Sequence, residues 1–168
     1  MIKFRNLTAA DIECRVQSVT ANGLTLLLYK SARTDMQILD EAVGPERWQR
    51  EHYECKGNLF CRVGILTDNG WVWKADCGKE SNSEAEKGES SDSFKRACTN
   101  WGIGRELYTG PKIFIKAKSC DIQEKGKGYC CYDKFEVEKI VIEDNKIVAL
   151  SIYNYTQDLR AFVWQLTD

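Results

Sequence analysis

The sequence predicts an α+β fold in which an antiparallel β-sheet packs against a long helix, with additional strands toward the C-terminal end. Three observations point to it. Asn69-Gly70 separates two strand-like runs, "LFCRVGILT" and "WVWKADCG", and this dipeptide is the strongest short-range hairpin signal. Phe94, Ala97, Cys98 and Trp101 recur at i, i+3, i+4 and i+7, the apolar stripe of a helix that would lie across such a sheet. Beyond Pro111, "KIFIKAK", "FEVEKIVIED" and "KIVALSIYNY" are rich in strand formers.

With 168 residues, the chain is expected to be one domain. Thr8 and Asp11 have the spacing of a helix start, and "AADIECRV" can carry Ile12 and Val16 on one face of a short helix. "GLTLLLYK" reads as a buried strand. "TDMQILDEAVGP" opens with a Thr34/Gln37 capping pattern, places Met36, Leu39 and Val43 near one face, and stops at Gly44-Pro45, giving a helix of two to three turns. "RWQREHYECKG" and the two runs around Asn69-Gly70 form a meander. Residues 79–93 contain no large apolar side chain and suit an exposed loop or a helix edge. The striped helix follows, with Lys95, Arg96, Thr99 and Asn100 on its other side. A second hairpin is expected around Asp144-Asn145, and "DLRAFVWQL" closes the chain as a strand or short helix.

Apolar residues make up 43% and charged residues 29%, a soluble globular composition without a disorder signature. Formal net charge is −1, so a claim of polyanion binding has to rest on where Lys and Arg are placed. "MIKFRNLTAADIE" lacks the apolar region of a signal peptide, and "LTLLLY" is too short to span a bilayer. The expectation is a cytoplasmic protein with no membrane partner. Eight cysteines without secretory context read as reduced thiols, with Cys61 and Cys77 as small apolar strand residues. Cys120, Cys130 and Cys131 lack a C-x2-C pair, and adjacent cysteines on a strand point to opposite faces, so no metal site is expected.

No Gly-rich turn ends in Gly-Lys-Ser/Thr, which leaves nucleotide hydrolysis unsupported, and no cofactor is implied. The single histidine, His52, has no recognisable catalytic neighbourhood and reads as structural. Glu54-Cys55-Lys56, with Asp40 upstream, has the residue types of a metal-dependent DNA nuclease: two carboxylates to hold a divalent ion and a lysine to position water. That is one alternative. Another is a non-catalytic interaction domain whose basic residues merely keep a core helix soluble. The basic residues are Lys30 and Arg33 at a strand-to-helix junction, Lys87 before the striped helix, Lys95 and Arg96 in its first turns, Arg105 after its glycines, and Lys112, Lys116 and Lys118 on one strand face. On a nucleic-acid protein such residues pair with phosphates, which confers affinity without sequence preference.

"SDSFKRACTNWGIGRELY" (91–108) resembles the signature of the Rad-fifty-two-type single-strand DNA annealing family, in its phage Sak-like and DdrA-like form. The shared elements are Lys95-Arg96-Ala97, Trp101, Gly102 and Gly104. "LDEAVGPERW" is similar to the family's helix, Gly and Trp segment, "CRVGILTDNGWVWKADCG" to its central hairpin ending in Gly78, and Lys87 falls eight residues before Lys95 as the pattern requires. The resemblance covers about residues 20–108, leaving 111–168 as a strand-rich extension of the same annealing-type domain.

The resemblance implies a β-β-β-α core whose copies join into a ring, with single-stranded DNA in a positive outer groove. It implies a non-enzymatic protein that anneals complementary strands without ATP in homologous recombination and DNA repair. Partners are then single-stranded DNA and further copies of the chain, with a single-strand-binding protein or an exonuclease as candidate protein partners. Carried over residue by residue, the DNA contacts are Lys95, Arg96 and Lys87, with Arg33 as the basic residue of the earlier helix and Lys30 as its fallback. Thr99 and Thr67 stand where the eukaryotic pattern has further basic residues, and Lys79 is the only substitute in the 79–93 segment.

Overall fold

The computed structural model describes residues 2–78 and 85–167, with side chains in the second stretch from residue 88 onward. In chain order the elements are β1 (Ile12–Thr20), β2 (Gly23–Lys30), α1 (Ala32–Val43), β3 (Trp48–Cys55), β4 (Asn58–Thr67), β5 (Gly70–Cys77), α2 (Ala85–Trp101), β6 (Ile113–Lys116), β7 (Gln123–Lys125), β8 (Gly128–Cys130), β9 (Phe135–Glu143), β10 (Lys146–Asn154) and β11 (Leu159–Gln165). The fold is thus mixed, with mostly antiparallel sheets and, among the described residues, two α-helices. By internal contacts the chain divides into two compact units, Met1–Arg5 with Lys30–Arg105, and Asn6–Tyr29 with Glu106–Asp168.

The first unit holds the three-stranded sheet β3-β4-β5, paired antiparallel throughout, with α2 packed on it. Cys61, Val63 and Ile65 alternate on β4 and are fully buried, as are Phe94, Ala97 and Cys98 of α2. This is the period-two face of a strand meeting the 3.6-residue stripe of a helix. Trp101, the last member of the stripe, donates from Nε1 to the Val63 carbonyl at 2.9 Å. The β4-β5 turn is centred on Asp68-Asn69, with Gly70 at φ 94 already paired to Thr67. The tip therefore lies one residue earlier than the Asn-Gly signal placed it, because Gly70 supplies the positive φ that closes the turn rather than its second central position. α2 begins at Ala85, inside the polar segment read from sequence as a loop or helix edge.

α1 is capped by Ser31, whose Oγ accepts from the Thr34 N–H at 3.2 Å. The expected start at Thr34 is corrected: Ser31 competes successfully for the cap, and Gln37 bonds Glu41 instead of turning back. Ile38 and Leu39 are fully buried, and Gly44 ends the helix at φ 86.

In the second unit the sheet order is β11-β10-β9-β1-β2-β6, and β7-β8 forms a separate small ribbon. Its core is Ile12, Leu24, Leu26, Ile113, Ile115, Phe135, Val137, Ile147, Leu150 and Ile152. The helix expected over "AADIECRV" is not formed: only a 3-10 turn, Ala9–Asp11, precedes the strand β1. Ile12, Cys14 and Val16 point inward alternately, so period two wins over the i, i+4 pairing, while the Thr8 N–H and Asp11 carboxylate do meet at 2.7 Å. Asp144 and Asn145 turn the β9-β10 hairpin with φ of 48 and 59, as the sequence suggests. "DLRAFVWQL" is a strand. Lys112 is exposed just before β6 and Lys116 is exposed at its end, whereas Lys118 sits in the following 3-10 turn, so the three do not share one strand face.

Candidate nucleic-acid interface

The site starts from a buried ion pair. Lys30, the last residue of β2, is 5% exposed, and Asp35, in the first turn of α1, is fully buried. The Lys30 Nζ donates to both Asp35 oxygens at 2.5 and 2.6 Å, and a longer contact of 3.5 Å reaches the Lys95 carbonyl of α2. Burial pushes the Asp35 carboxyl up to about 6, against the opposing pull of Lys30 and, further off, of Lys95. Lys30, the fallback DNA contact of the sequence reading, is therefore placed as an internal strut, its ammonium buried in an ion pair. Its ammonium is withdrawn from solvent because the Asp35 carboxylate, itself buried, requires a counter-charge.

The strut brings the first turn of α1 against α2 at Lys95. Arg33 is exposed on that first turn, and Lys95 is half-buried with no hydrogen bond or ion pair from its ammonium to a described residue. Arg96, 40% exposed in its side chain, turns toward β5 and pairs with Asp76, its Nε 3.3 Å from Oδ1. Asn100, one turn on, donates from Nδ2 to the other Asp76 oxygen at 3.4 Å and to the Ala75 carbonyl at 3.0 Å.

Arg105 does something else. The Gly102 N–H reaches the Thr99 carbonyl at 3.0 Å and the Ile103 N–H reaches the Cys98 carbonyl at 3.2 Å, the paired bonds of a Schellman motif with Gly102 at φ 109. The Arg105 guanidinium then donates to the carbonyls of Thr99 and Asn100 at 2.9 and 2.8 Å, and the Lys74 Nζ to that of Asn100 at 2.9 Å. "GIGR" is thus the C-terminal cap of α2, with cations on the negative end of the helix dipole. Lys79 lies outside the described residues, as does the side chain of Lys87, whose backbone belongs to α2.

The nuclease set does not assemble. Asp40 accepts from Trp48 Nε1 at 2.6 Å, at the start of β3, while Glu54 stands six residues along that strand. At the rise of an extended strand that is about 20 Å away. Lys56 occupies the β3-β4 turn at φ 53. Among the described residues no group of three His, Cys, Asp or Glu side chains could hold a metal ion. His52 Nε2 lies 3.1 Å from the Ser90 carbonyl, a contact between β3 and α2. All eight cysteines are free, and burial pushes the thiols of Cys61 and Cys120 up to about 11.

Sequence reasoning missed Asp35, Asp76 and Asn100. Asp35, Ile38 and Leu39 stand at i, i+3 and i+4, so an acid inside the apolar stripe of α1 was the available signal. Nothing local marks Asp76, whose role depends on α2 crossing β5.

Arg33 at the start of α1 and Lys95 and Arg96 on α2 are thus cations of two helices that pack on one another within this unit. The Rad52/22 family double-strand break repair protein profile matches residues 5–127, and the chain belongs to that family. The single-stranded DNA-binding protein DdrA of Deinococcus radiodurans is 39% identical over 90 residues, which are 52% of this chain and 42% of that protein. The chain thus spans about two fifths of the length of this relative. No solved structure matches it.

Proposed function

We propose that this chain binds single-stranded DNA along α2 and the start of α1, and promotes ATP-independent annealing of complementary strands in recombination and repair. The observation that carries the reading is the Lys30-Asp35 strut, which holds the first turn of α1, bearing exposed Arg33, to the backbone of α2 at Lys95. Family membership and the likeness to a single-stranded DNA-binding protein support it. Annealing here is physical rather than covalent. Lys95, Arg96 and Arg33 would hold the phosphates while the bases stay accessible, which lowers the entropic cost of pairing, and base pairing drives the product.

Copies of the chain arranged in a ring would repeat this modest patch around a continuous groove. The summed field would then attract a polyanion despite a formal net charge of −1. A site inside the cytoplasm, where its DNA would be met, belongs to the same proposal.

The test is annealing of complementary oligonucleotides without ATP or divalent metal, followed by stopped-flow fluorescence. Wild type should accelerate it, and Lys95→Ala/Arg96→Ala should abolish single-strand binding while leaving the circular dichroism spectrum intact. A double variant that anneals at the normal rate would sink the site assignment. Light scattering should return a multiple of the protomer mass, and a strict monomer at working concentration counts against the ring.

A further inference from the structure

Asp76 of β5 satisfies two donors of α2 at once. Its Oδ1 accepts from Arg96 Nε at 3.3 Å and from the Cys77 N–H at 2.8 Å, and its Oδ2 accepts from Asn100 Nδ2 at 3.4 Å. Arg96 and Asn100 are four residues apart, so they project from one face of the helix toward one point. The bond from Asn100 to the Ala75 carbonyl, 3.0 Å, fixes the amide so that its remaining N–H faces the carboxylate. The two helix contacts are longer than the usual charge-assisted bond. The Arg96 and Asp76 side chains are 40% and 26% exposed. An anion from solvent can therefore reach the same donors.

A carboxylate and a phosphodiester present the same chemistry to this pair: two equivalent anionic oxygens on one centre. We propose that Arg96 and Asn100 form a cradle for one backbone phosphate of a single strand, and that Asp76 is its built-in occupant, displaced when DNA binds. This rests on the reading of α2 as a single-strand-binding surface. Asn100 becomes a phosphate ligand that adds a hydrogen bond without charge. Asp76 becomes the residue that sets affinity. An isolated phosphate must compete with a tethered carboxylate for this cradle, whereas a strand anchored at Lys95 and Arg33 brings its next phosphate at high effective concentration.

The exchange also has a salt signature. A cation neutralised by a neighbouring carboxylate has fewer solution anions to release than a free one, and each free cation that meets a single-strand phosphate contributes about 0.7 to the slope of log affinity against log salt.

The experiment is fluorescence anisotropy with a labelled oligo-dT over a salt series, on wild type, Asp76→Asn, Asp76→Ala, Asn100→Ala, Arg96→Ala and Asp76→Asn/Arg96→Ala. Both Asp76 variants should bind several-fold more tightly at low salt, with a salt slope steeper by up to about 0.7. The gain should disappear in the Arg96→Ala background. Asn100→Ala should bind several-fold more weakly with the wild-type slope. Two results overturn the proposal. Folded Asp76 variants that bind no better than wild type would make Asp76 a positioning group for Arg96, and an equal gain with and without Arg96 would reduce it to a general charge effect. Wild type that fails to bind oligo-dT at low salt overturns the single-strand reading itself, a failure seen without any variant.

Discussion

Lys30 and Asp35 meet at 2.5 Å with both side chains withdrawn from water, and the same ammonium contacts the backbone of Lys95. Removing one partner strands the other charge. Asp35→Ala or Lys30→Met alone should cost roughly 3–5 kcal/mol of unfolding free energy in a urea titration, whereas Lys30→Met/Asp35→Leu should recover most of it. A double variant as unstable as the singles would show that the pair does more than neutralise itself.

Asp35 should also leave a pH signature. Burial raises its folded-state value from 3.8 to about 6, so the folded chain takes up this proton at a higher pH than the unfolded chain. The stability linked to that uptake is full below 3.8 and is lost as pH rises through about 6. Carbon-detected NMR of the Asp35 carboxyl should show a midpoint near 6. A midpoint at or below the ordinary aspartate value would mean that Lys30 outweighs burial.

Arg105 and Lys95 should separate cleanly into stability and binding. Arg105→Ala removes the guanidinium from the carbonyls of Thr99 and Asn100 and should cost about 1 kcal/mol in thermal unfolding, with the salt slope for oligo-dT unchanged. Lys95→Ala should leave stability within about 0.5 kcal/mol and lower the salt slope by about 0.7. Reversed outcomes would place the phosphate contact at the end of α2 instead of its middle.

Gly64 on β4 lies beneath the Trp73 ring, and a Cβ there would stand 2.8 Å from three ring carbons. Trp73 in turn carries the Arg62 guanidinium at 4.5 Å from its centroid. Gly64→Ala should push the ring off the sheet, weaken both contacts and cost roughly 1–3 kcal/mol. The tryptophan near-ultraviolet circular dichroism reports it directly, and an unchanged spectrum would contradict the close approach.

Much of this architecture was legible in the linear chain because it is written in local periodicity. The Phe94-Ala97-Cys98-Trp101 stripe, the alternation of Cys61, Val63 and Ile65, and the Asp144-Asn145 turn each follow from neighbours within one element. Lys95 and Arg96 could be singled out for the same reason, as the polar flank of that stripe together with a family signature. Where local signals competed, tertiary pairing decided. Ile12–Thr20 became a strand because β2 and β9 offered hydrogen-bonding neighbours on both sides, a choice that the helix-start pattern at Thr8 could not anticipate.

The roles of the individual cations needed the assembled unit. Lys30, Arg96 and Arg105 are alike as basic residues in sequence, yet one is buried against Asp35, one faces Asp76, and one caps α2. Those partners lie five, twenty and five or six residues away, and a charge acquires its function from the burial and the counter-charge that the crossing of helix and sheet imposes. Composition and spacing established a helix with cations on its outer flank; only the packing of α1 and β5 against that helix determined which cation is a strut, which is a cap and which faces a carboxylate.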